Sequence, residues 1–451
     1  MKLNKACLLL VALLLLTEPC RALAGAAEDY KEARQIYLAA VSCMAAYQDR
    51  FGNLTFAALE QEGWELRGFQ KNDVAVDAKF FLMRTMGGDG LPDYLLAVAG
   101  TESEKDVSVD LRWGKVPYGG TDRQEFEAYS QRKGVTGDSP LVHKGFHQYV
   151  QSMLVFEEEG ADLKPEQHRL LERLRNEPGT ELVLVGHSLG GAAATLLAAR
   201  LLDMGVLPEE LKVITFGAPA VGNAAFAEKE KNVIRLQRFI NKGDPVPYAL
   251  TQLVGGYQQF GPEEHWEVPK KLEDRPHSMA VYLDYAMKNY YDKQRILEEE
   301  THQPVKWKGV YKPYLEAKGY VAPLANELPA ELNSEFYYMN QVLKDQYWRV
   351  FSDYVMASED APRLELFRLA KEQGCQVLIV PKVLARKVKD QENRYYITLQ
   401  QEVYSVADER FVGAYAYGSN TKEFTPLEAF VRAARDMNKE SASWLQGTPG
   451  K

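Results

Sequence analysis

The chain has 451 residues, of which 46% are hydrophobic and 26% are charged, and its formal net charge at pH 7 is -9. This length exceeds what one ordinary hydrophobic core accommodates, so two folded units are expected. The composition is that of a soluble globular protein rather than a disordered or membrane-embedded one. Because the net charge is negative and the basic residues are scattered, binding to nucleic acid or to an anionic membrane surface is not expected.

Residues 1–24 have the pattern of a secretory signal peptide. Lys2 and Lys5 form a short positive region, an unbroken apolar run covers 6–16, and a small-x-small sequence, ALA, follows at 22–24. The apolar run is shorter than the roughly 20 residues that a membrane-spanning helix needs. We therefore expect cleavage of this segment and a secreted or periplasmic mature protein.

Two cysteines, Cys43 and Cys375, lie outside the predicted signal peptide. Export permits a disulfide between them, but two buried free thiols are the favoured interpretation because they fall in different predicted domains. No cluster of cysteine and histidine residues has the spacing of a metal site, and we expect no metal and no cofactor.

The segment from 25 to 300 alternates apolar strands with helices, which predicts an α/β domain with a mostly parallel sheet. In chain order the patterns predict a helix at Tyr30–Asp49, strands at Val74–Met86 and Tyr94–Ala99, helices at Phe146–Glu157 and Glu166–Arg175, a strand at Glu181–Val185, a helix at Leu189–Met204, and strands at Leu211–Phe216 and Val233–Ile240.

A second domain is expected at 305–451, because a long helical run ends in three glutamates at 298–300 and Gln303-Pro304 breaks it. The order of elements predicts a small α+β domain that either binds an unidentified partner or serves as a structural appendage. The predicted elements are a strand at Gly319–Leu324, helices at Asn333–Val350 and Leu364–Gln373, a strand at Cys375–Val383, paired strands at Tyr395–Val406 and Arg410–Tyr417, and a helix at Leu427–Leu445.

The most informative stretch is GHSLGG at 186–191, which lies between the strand Glu181–Val185 and an Ala-rich helix. A G-x-S-x-G pentapeptide in that context is typical of a nucleophile elbow, a sharp strand-to-helix turn that presents a serine hydroxyl beside a helix N-terminus. The glycines fit because side chains at their positions would clash across the turn. Ser188 is therefore the predicted nucleophile.

A serine hydroxyl needs a histidine base, and in this fold type the histidine follows the serine in the chain. Three of the seven histidines do so. His302 lies in the apparent linker between domains, and His265 lies in a strand-like alternation. His277 lies in a loop just before a helix, a place where catalytic residues are commonly held. We favour His277 as the base and keep His265 as the alternative.

The carboxylate that orients the base is expected between the serine and the histidine. Asp244 lies in the loop NKGDPVP, directly after the strand Val233–Ile240. Loops past the carboxyl ends of strands carry functional residues in α/β sheets. An aspartate before a proline is also a common structural turn residue. Together with Ser188 and His277, however, Asp244 completes a catalytic triad.

Five motifs in this order resemble those of the class 3, or fungal-type, lipases, and the resemblance extends over about residues 30–290. The motifs are residues 97–101 with 106–111, VHKGF at 142–146, GHSLGG at 186–191, TFGAPAVGN at 215–223, and RFINKGDPVP at 238–247.

This resemblance implies an α/β-hydrolase fold and an oxyanion hole made by the backbone N–H groups of Thr101 and Leu189. The segment that forms an amphipathic lid in fungal lipases is polar here, with the sequence TESEKDVSVD at 101–110. A lid without an apolar face has little surface to bury in a lipid droplet. The polar sequence is therefore an argument for soluble or short-chain esters as substrates.

We predict a secreted serine hydrolase that cleaves carboxylic esters and favour lipid acyl esters as its substrates, with at most a transient contact with a lipid interface. A phospholipase or a soluble carboxylesterase with the same triad is the alternative enzyme. An exported binding or envelope protein with a vestigial hydrolase core, in which residues 305–451 bind an unknown partner, is the alternative from another class.

Overall fold

The chain divides into two units, Met1–Gln303 and Pro304–Lys451. The computed structural model describes residues 5–47, 50–61, 63–72, 77–84, 91–100, 114–154, 170–177, 179–269, 272, 274–305, 313–391 and 393–441. The GHSLGG, TFGAPAVGN and RFINKGDPVP motifs all fall within the described part of the first unit. Thr101 lies outside the described residues.

A seven-stranded sheet forms the centre of the first unit. Its strands are β1 Glu65–Asn72, β2 Asp77–Arg84, β3 Tyr94–Val98, β6 Leu182–His187, β7 Leu211–Phe216, β8 Arg235–Asn241 and β9 Glu263–Trp266, and a separate two-stranded ribbon contains β4 Lys115–Pro117 and β5 Leu141–His143. The order is β1-β2-β3-β6-β7-β8-β9, parallel from β3 onward and antiparallel at β1 and β2. β3 and β6 are buried along their whole length, which explains their continuous apolar sequences.

Helices cover both faces of this sheet. On one face the small side chains of Leu189–Asp203 pack in one apolar cluster with Leu184 of β6 and Val213 of β7. On the other face Tyr282 packs near Phe216 of β7. Among the described residues, no helix is both long enough and apolar enough to cross a membrane. The helices of this unit are Lys5–Ala46, Arg50–Gln61, Arg123–Ser130, Lys144–Met153, Leu170–Asn176, Leu189–Asp203, Ala224–Glu230, Val246–Ala249 and Met279–Thr301.

The first helix and the first two strands of the first unit differ from the sequence-based expectation. The strand predicted at 74–86 is the shorter β2, and residues 73–76 and 85–90 lie outside the described residues. Its antiparallel partner β1 gives no strand signal because its sequence, ELRGFQKN, is polar; a strand at the edge of a sheet needs few apolar residues. The helix predicted at 30–49 is the second part of a longer helix, Lys5–Ala46.

A second, mixed sheet forms the C-terminal unit. Its strands are β10 Leu315–Val321, β11 Ala325–Glu327, β12 Phe351–Met356, β13 Val377–Lys387, β14 Tyr395–Ser405 and β15 Phe411–Asn420, and its helices are Asn333–Val350, Arg363–Glu372 and Pro426–Glu440. The order is β12-β10-β13-β14-β15, with β11 paired to β13. The strands β13, β14 and β15 are antiparallel, whereas β10 runs parallel to both of its neighbours. The sequence patterns do not predict β11 or β12, which are short and partly polar.

The predicted fold class is confirmed. The first unit has an α/β core, in which a mostly parallel sheet lies between helices. The second unit is smaller, and its helices and antiparallel strands make it an α+β unit.

Candidate active site

Ser188 occupies a strained turn between β6 and the helix Leu189–Asp203. Its backbone has φ 56° and ψ -131°, a conformation that is uncommon for a residue with a side chain. An ideal Cβ on Gly186 would lie only 2.2 Å from the carbonyl oxygen of Gly190, so the turn has room for glycine alone. The turn places Ser188 at a helix N-terminus, where free N–H groups and the positive end of the helix dipole favour negative charge.

Three side chains from separate segments meet at this turn. His277 Nε2 lies 2.9 Å from Ser188 Oγ, and His277 Nδ1 lies 3.0 and 2.8 Å from the two carboxylate oxygens of Asp244. Because a carboxylate accepts hydrogen bonds, this contact holds the proton of neutral His277 on Nδ1 and leaves Nε2 to accept from the serine hydroxyl. The structure thus brings together three residues that the sequence singles out and that lie 89 and 33 positions apart.

Each of these residues is positioned by a different element. Asp244 follows the C-terminal end of β8, and His277 precedes the long helix Met279–Thr301. All three side chains are buried. The alternative base, His265, lies elsewhere: it is exposed on β9, and its Nε2 is 3.3 Å from the carboxylate of Glu263.

His187 connects the turn to the backbone of the candidate base. Its Nε2–H donates to the carbonyl oxygen of His277 at 2.8 Å, and its Nδ1 accepts the hydroxyl of Tyr47 at 2.5 Å. Because a carbonyl oxygen only accepts, these contacts fix His187 as the neutral tautomer with its proton on Nε2. Burial, together with the nearby His277, lowers the pKa of His187 well below its usual value of 6.5. Sequence reasoning misses this link because its partners come from distant segments.

Acid is expected to destabilise the first unit through His187. Since its pKa is lower in the folded chain than in the unfolded one, only the unfolded chain gains a proton as the pH falls below 6.5. This group should lower the free energy of unfolding by about 1.4 kcal/mol per pH unit below that value. Thermal unfolding of the wild type and His187→Gln between about pH 7.5 and 5 checks this, because glutamine keeps a donor but does not titrate. If the unfolding temperatures of the two proteins depended equally on pH, His187 would not be the group responsible.

The predicted oxyanion hole falls only partly within the described residues. Leu189 is the first residue of the helix after Ser188, and N–H groups in the first turn of a helix have no intrahelical acceptor. Thr101 lies outside the described residues, so its role stays a prediction. The residue before it runs close to the serine: an ideal Cβ on Gly100 would lie 3.4 Å from Ser188 Cβ.

Covalent catalysis by an activated serine is the chemistry that this arrangement supports. Within the described ranges, no group of His, Cys, Asp and Glu side chains could hold a metal ion. Cys43 and Cys375 are both buried free thiols.

Residues 95–253 match the family model described as Lipase (class 3). This segment is therefore similar to the class 3 lipases. The resemblance seen in the sequence motifs is thereby confirmed for the part of the chain that carries Ser188 and Asp244. His277 follows after the end of the matched lipase segment, and its place beside Ser188 comes from the geometry alone.

Curated relatives match the lipase segment over short stretches. Secreted mono- and diacylglycerol lipase A of Penicillium cyclopium is 41% identical over 97 residues, covering 22% of this chain and 30% of that protein. Chloroplastic phospholipase A1-Igamma1 of Arabidopsis thaliana is 38% identical over 129 residues, covering 22% of this chain and 25% of that protein. The chain thus spans less than a third of the length of either relative. Among solved structures, the native Rhizomucor miehei lipase propeptide complex aligns with a TM-score of 0.37 and 23% identity over 52% of this chain and 67% of that one.

Proposed function

We propose that the first unit is a serine hydrolase that cleaves carboxylic esters, and that lipid acyl esters are its substrates. The observation that carries this proposal is the hydrogen-bonded chain of Ser188, His277 and Asp244, with 2.9 Å between Ser188 Oγ and His277 Nε2 and 2.8 Å between His277 Nδ1 and Asp244 Oδ2. The class 3 lipase match of residues 95–253 supports the same chemistry, as do relatives named as an acylglycerol lipase and a phospholipase.

The proposed reaction is acyl transfer in two steps. His277 Nε2 takes the hydroxyl proton as Ser188 Oγ attacks the ester carbonyl carbon. The backbone N–H groups of Leu189 and Thr101 stabilise the oxyanion, and each such donor lowers the barrier by about 3 kcal/mol. His277 then gives the proton to the leaving alcohol as the carbon–oxygen bond breaks, which leaves an acyl-enzyme.

Water completes the cycle. His277 removes a proton from the water molecule as its oxygen attacks the acyl carbon, and the bond to Ser188 Oγ breaks. The carboxylic acid leaves, and the proton on His277 returns to the serine oxygen. Asp244 stays ionised throughout and stabilises the imidazolium that forms in both steps.

Phospholipids and soluble short-chain esters are the alternative substrates of the same triad. The sequence similarity to the phospholipase A1 named above favours phospholipids. The polar sequence TESEKDVSVD at 101–110 favours the second, since a polar lid has no apolar face to insert into a lipid surface.

Export is a further part of the proposal. The signal-peptide pattern of residues 1–24 supports it, and one relative is named as a secreted protein. Burial along the helix Lys5–Ala46 is compatible with it, because Gly25 is exposed whereas Ala26 and Tyr30 are buried. Cleavage after Ala24 therefore leaves these buried side chains in the mature protein.

The test is hydrolysis by the mature protein of p-nitrophenyl butyrate, p-nitrophenyl palmitate and phosphatidylcholine vesicles. We expect release of p-nitrophenol from the palmitate ester at a rate at least comparable with the butyrate ester. A strong preference for butyrate would favour the soluble carboxylesterase, and fatty acid released chiefly from the vesicles would favour the phospholipase. Absence of hydrolysis from all three would refute the enzyme and favour an exported binding or envelope protein.

A further inference from the structure

Asp244 is surrounded by hydrogen-bond donors besides the candidate base. Its side chain is fully buried, and its Oδ1 accepts the backbone N–H of Val246 at 2.9 Å. Its Oδ2 accepts the phenol hydroxyl of Tyr282 at 2.5 Å. A carboxylate that is buried and ionised needs donors of this kind, because each unsatisfied oxygen lone pair is costly away from water.

Tyr282 is held so that its hydroxyl proton faces the carboxylate. It lies on the helix Met279–Thr301, and its ring packs near Phe216 and His187. The backbone N–H of Asn241, the last residue of β8, donates to the phenol oxygen at 3.0 Å. Because the oxygen accepts from this side, its own O–H is directed to Asp244 Oδ2.

The protonation state of the phenol suits a donor. Burial, together with the charge of Asp244 and the hydrogen bond to it, raises the pKa of Tyr282 well above 10. The hydroxyl therefore keeps its proton at every pH at which an ester hydrolase of this kind would work.

A glycine makes the close approach possible. Gly217, just after β7, has φ +58°, and an ideal Cβ there would lie 2.6 Å from Asp244 Oδ2, 2.9 Å from the Tyr282 oxygen and 3.1 Å from His277 Nδ1. Three functional atoms thus converge over one residue that has no side chain. The contact between the tyrosine and the carboxylate is therefore closely packed.

We infer that Tyr282 is a positioning residue for the reaction proposed above: its hydroxyl holds Asp244 Oδ2, so that the carboxylate presents a fixed edge to His277 Nδ1–H. The expected effect on kcat rests on the proposed function. The expected effect on the orientation of Asp244 and His277 rests on the hydrogen bonds alone. Without this donor the carboxylate keeps only the Val246 N–H and His277 as partners. It can then rotate further about its terminal bond, and the imidazole that it orients becomes less well fixed.

The test is Tyr282→Phe, which keeps the ring and removes only the hydroxyl. We expect kcat for p-nitrophenyl butyrate to fall about tenfold with KM unchanged, because a hydrogen bond to a charged group has that order of effect. The acid limb of the pH profile of kcat/KM should move to higher pH, since Asp244 then offers more of its charge to protonated His277. In an Asp244→Asn background the same substitution should cause no further loss.

Tyr290→Phe is the matched control. Tyr290 is a buried tyrosine on the same helix, and its hydroxyl lies 3.4 Å from that of Tyr30 rather than near the triad. It should reproduce any loss of stability that comes from removing a buried phenol hydroxyl, and it should leave kcat and the pH profile as they are in the wild type.

A second readout separates this inference from the proposed function. The low-field proton NMR signal of His277 Nδ1–H reports the bond to Asp244 without any turnover, and it should shift or broaden in Tyr282→Phe but not in Tyr290→Phe. If the wild type hydrolyses no ester but the signal changes, the positioning role stands and the hydrolase proposal fails. If the signal, the pH profile and kcat are all unchanged in Tyr282→Phe, the inference is overturned. It is equally overturned if only kcat and stability fall, with the signal and the pH profile unchanged.

Discussion

Ser188→Ala is expected to lower kcat for ester hydrolysis by about a million-fold, to the level of the residual catalysis that the rest of the site provides. In the proposed reaction Ser188 Oγ is the atom that bonds to the acyl carbon, and it lies 2.9 Å from His277 Nε2. Alanine fits the space of serine, so the strained turn between β6 and the helix should be retained. Initial rates with p-nitrophenyl butyrate, together with a thermal unfolding curve, measure both effects.

Ser152→Ala is the control for this substitution. Ser152 is a buried serine on the helix Lys144–Met153, and its hydroxyl donates to the carbonyl oxygen of Gln148 at 3.1 Å. This variant should keep wild-type kcat. Hydrolysis by Ser188→Ala at more than about a hundredth of the wild-type rate would show that the nucleophile lies elsewhere.

Asp244→Asn is expected to lower kcat about ten-thousand-fold, with little change in the unfolding temperature. The amide is nearly isosteric with the carboxylate, but it carries no charge and its nitrogen donates rather than accepts. Facing His277 Nδ1 at 2.8 Å, it favours the tautomer with the proton on Nε2, which cannot accept the Ser188 proton. It also fails to stabilise the imidazolium that forms in the transition state.

Asp203→Asn gives the matched comparison. Asp203 accepts the hydroxyl of Tyr118 at 2.6 Å and pairs with Lys229 at 2.8 Å, remote from His277. It should alter stability without altering kcat. An Asp244→Asn enzyme with more than a tenth of wild-type kcat would mean that Asp244 is a structural turn residue, the alternative that an aspartate before proline always offers.

The centre of the parallel sheet in the first unit is predictable from the sequence because β3, β6 and β7 are short, largely apolar runs. Strands buried on both faces need such runs, and β6 and β7 meet that requirement. Edge strands do not need such runs, so the sequence patterns do not predict β1, which is polar, or β12, which is short and partly polar. The boundaries of helices shifted by a few residues for the usual reason that their ends depend on tertiary contacts.

The candidate site likewise contains residues that a sequence pattern predicts and one that only the fold reveals. Ser188 was found from a local turn whose glycines are required by close packing. Asp244 and His277 followed from their positions after a strand and before a helix, which is a topological rule rather than a local signal. The distances between them came from the fold. Tyr282 had no signal at all, because it lies 38 residues from Asp244 in sequence and a buried tyrosine on a helix ordinarily indicates core packing.

Labelling with a fluorophosphonate probe, followed by mass spectrometry of the labelled peptide, tests the central claim most directly. The probe phosphonylates a serine only where a neighbouring base activates the hydroxyl. Our account predicts one labelled serine, Ser188, and loss of the label in both Ser188→Ala and Asp244→Asn. An unlabelled wild-type protein, or a label on a different serine, would contradict it.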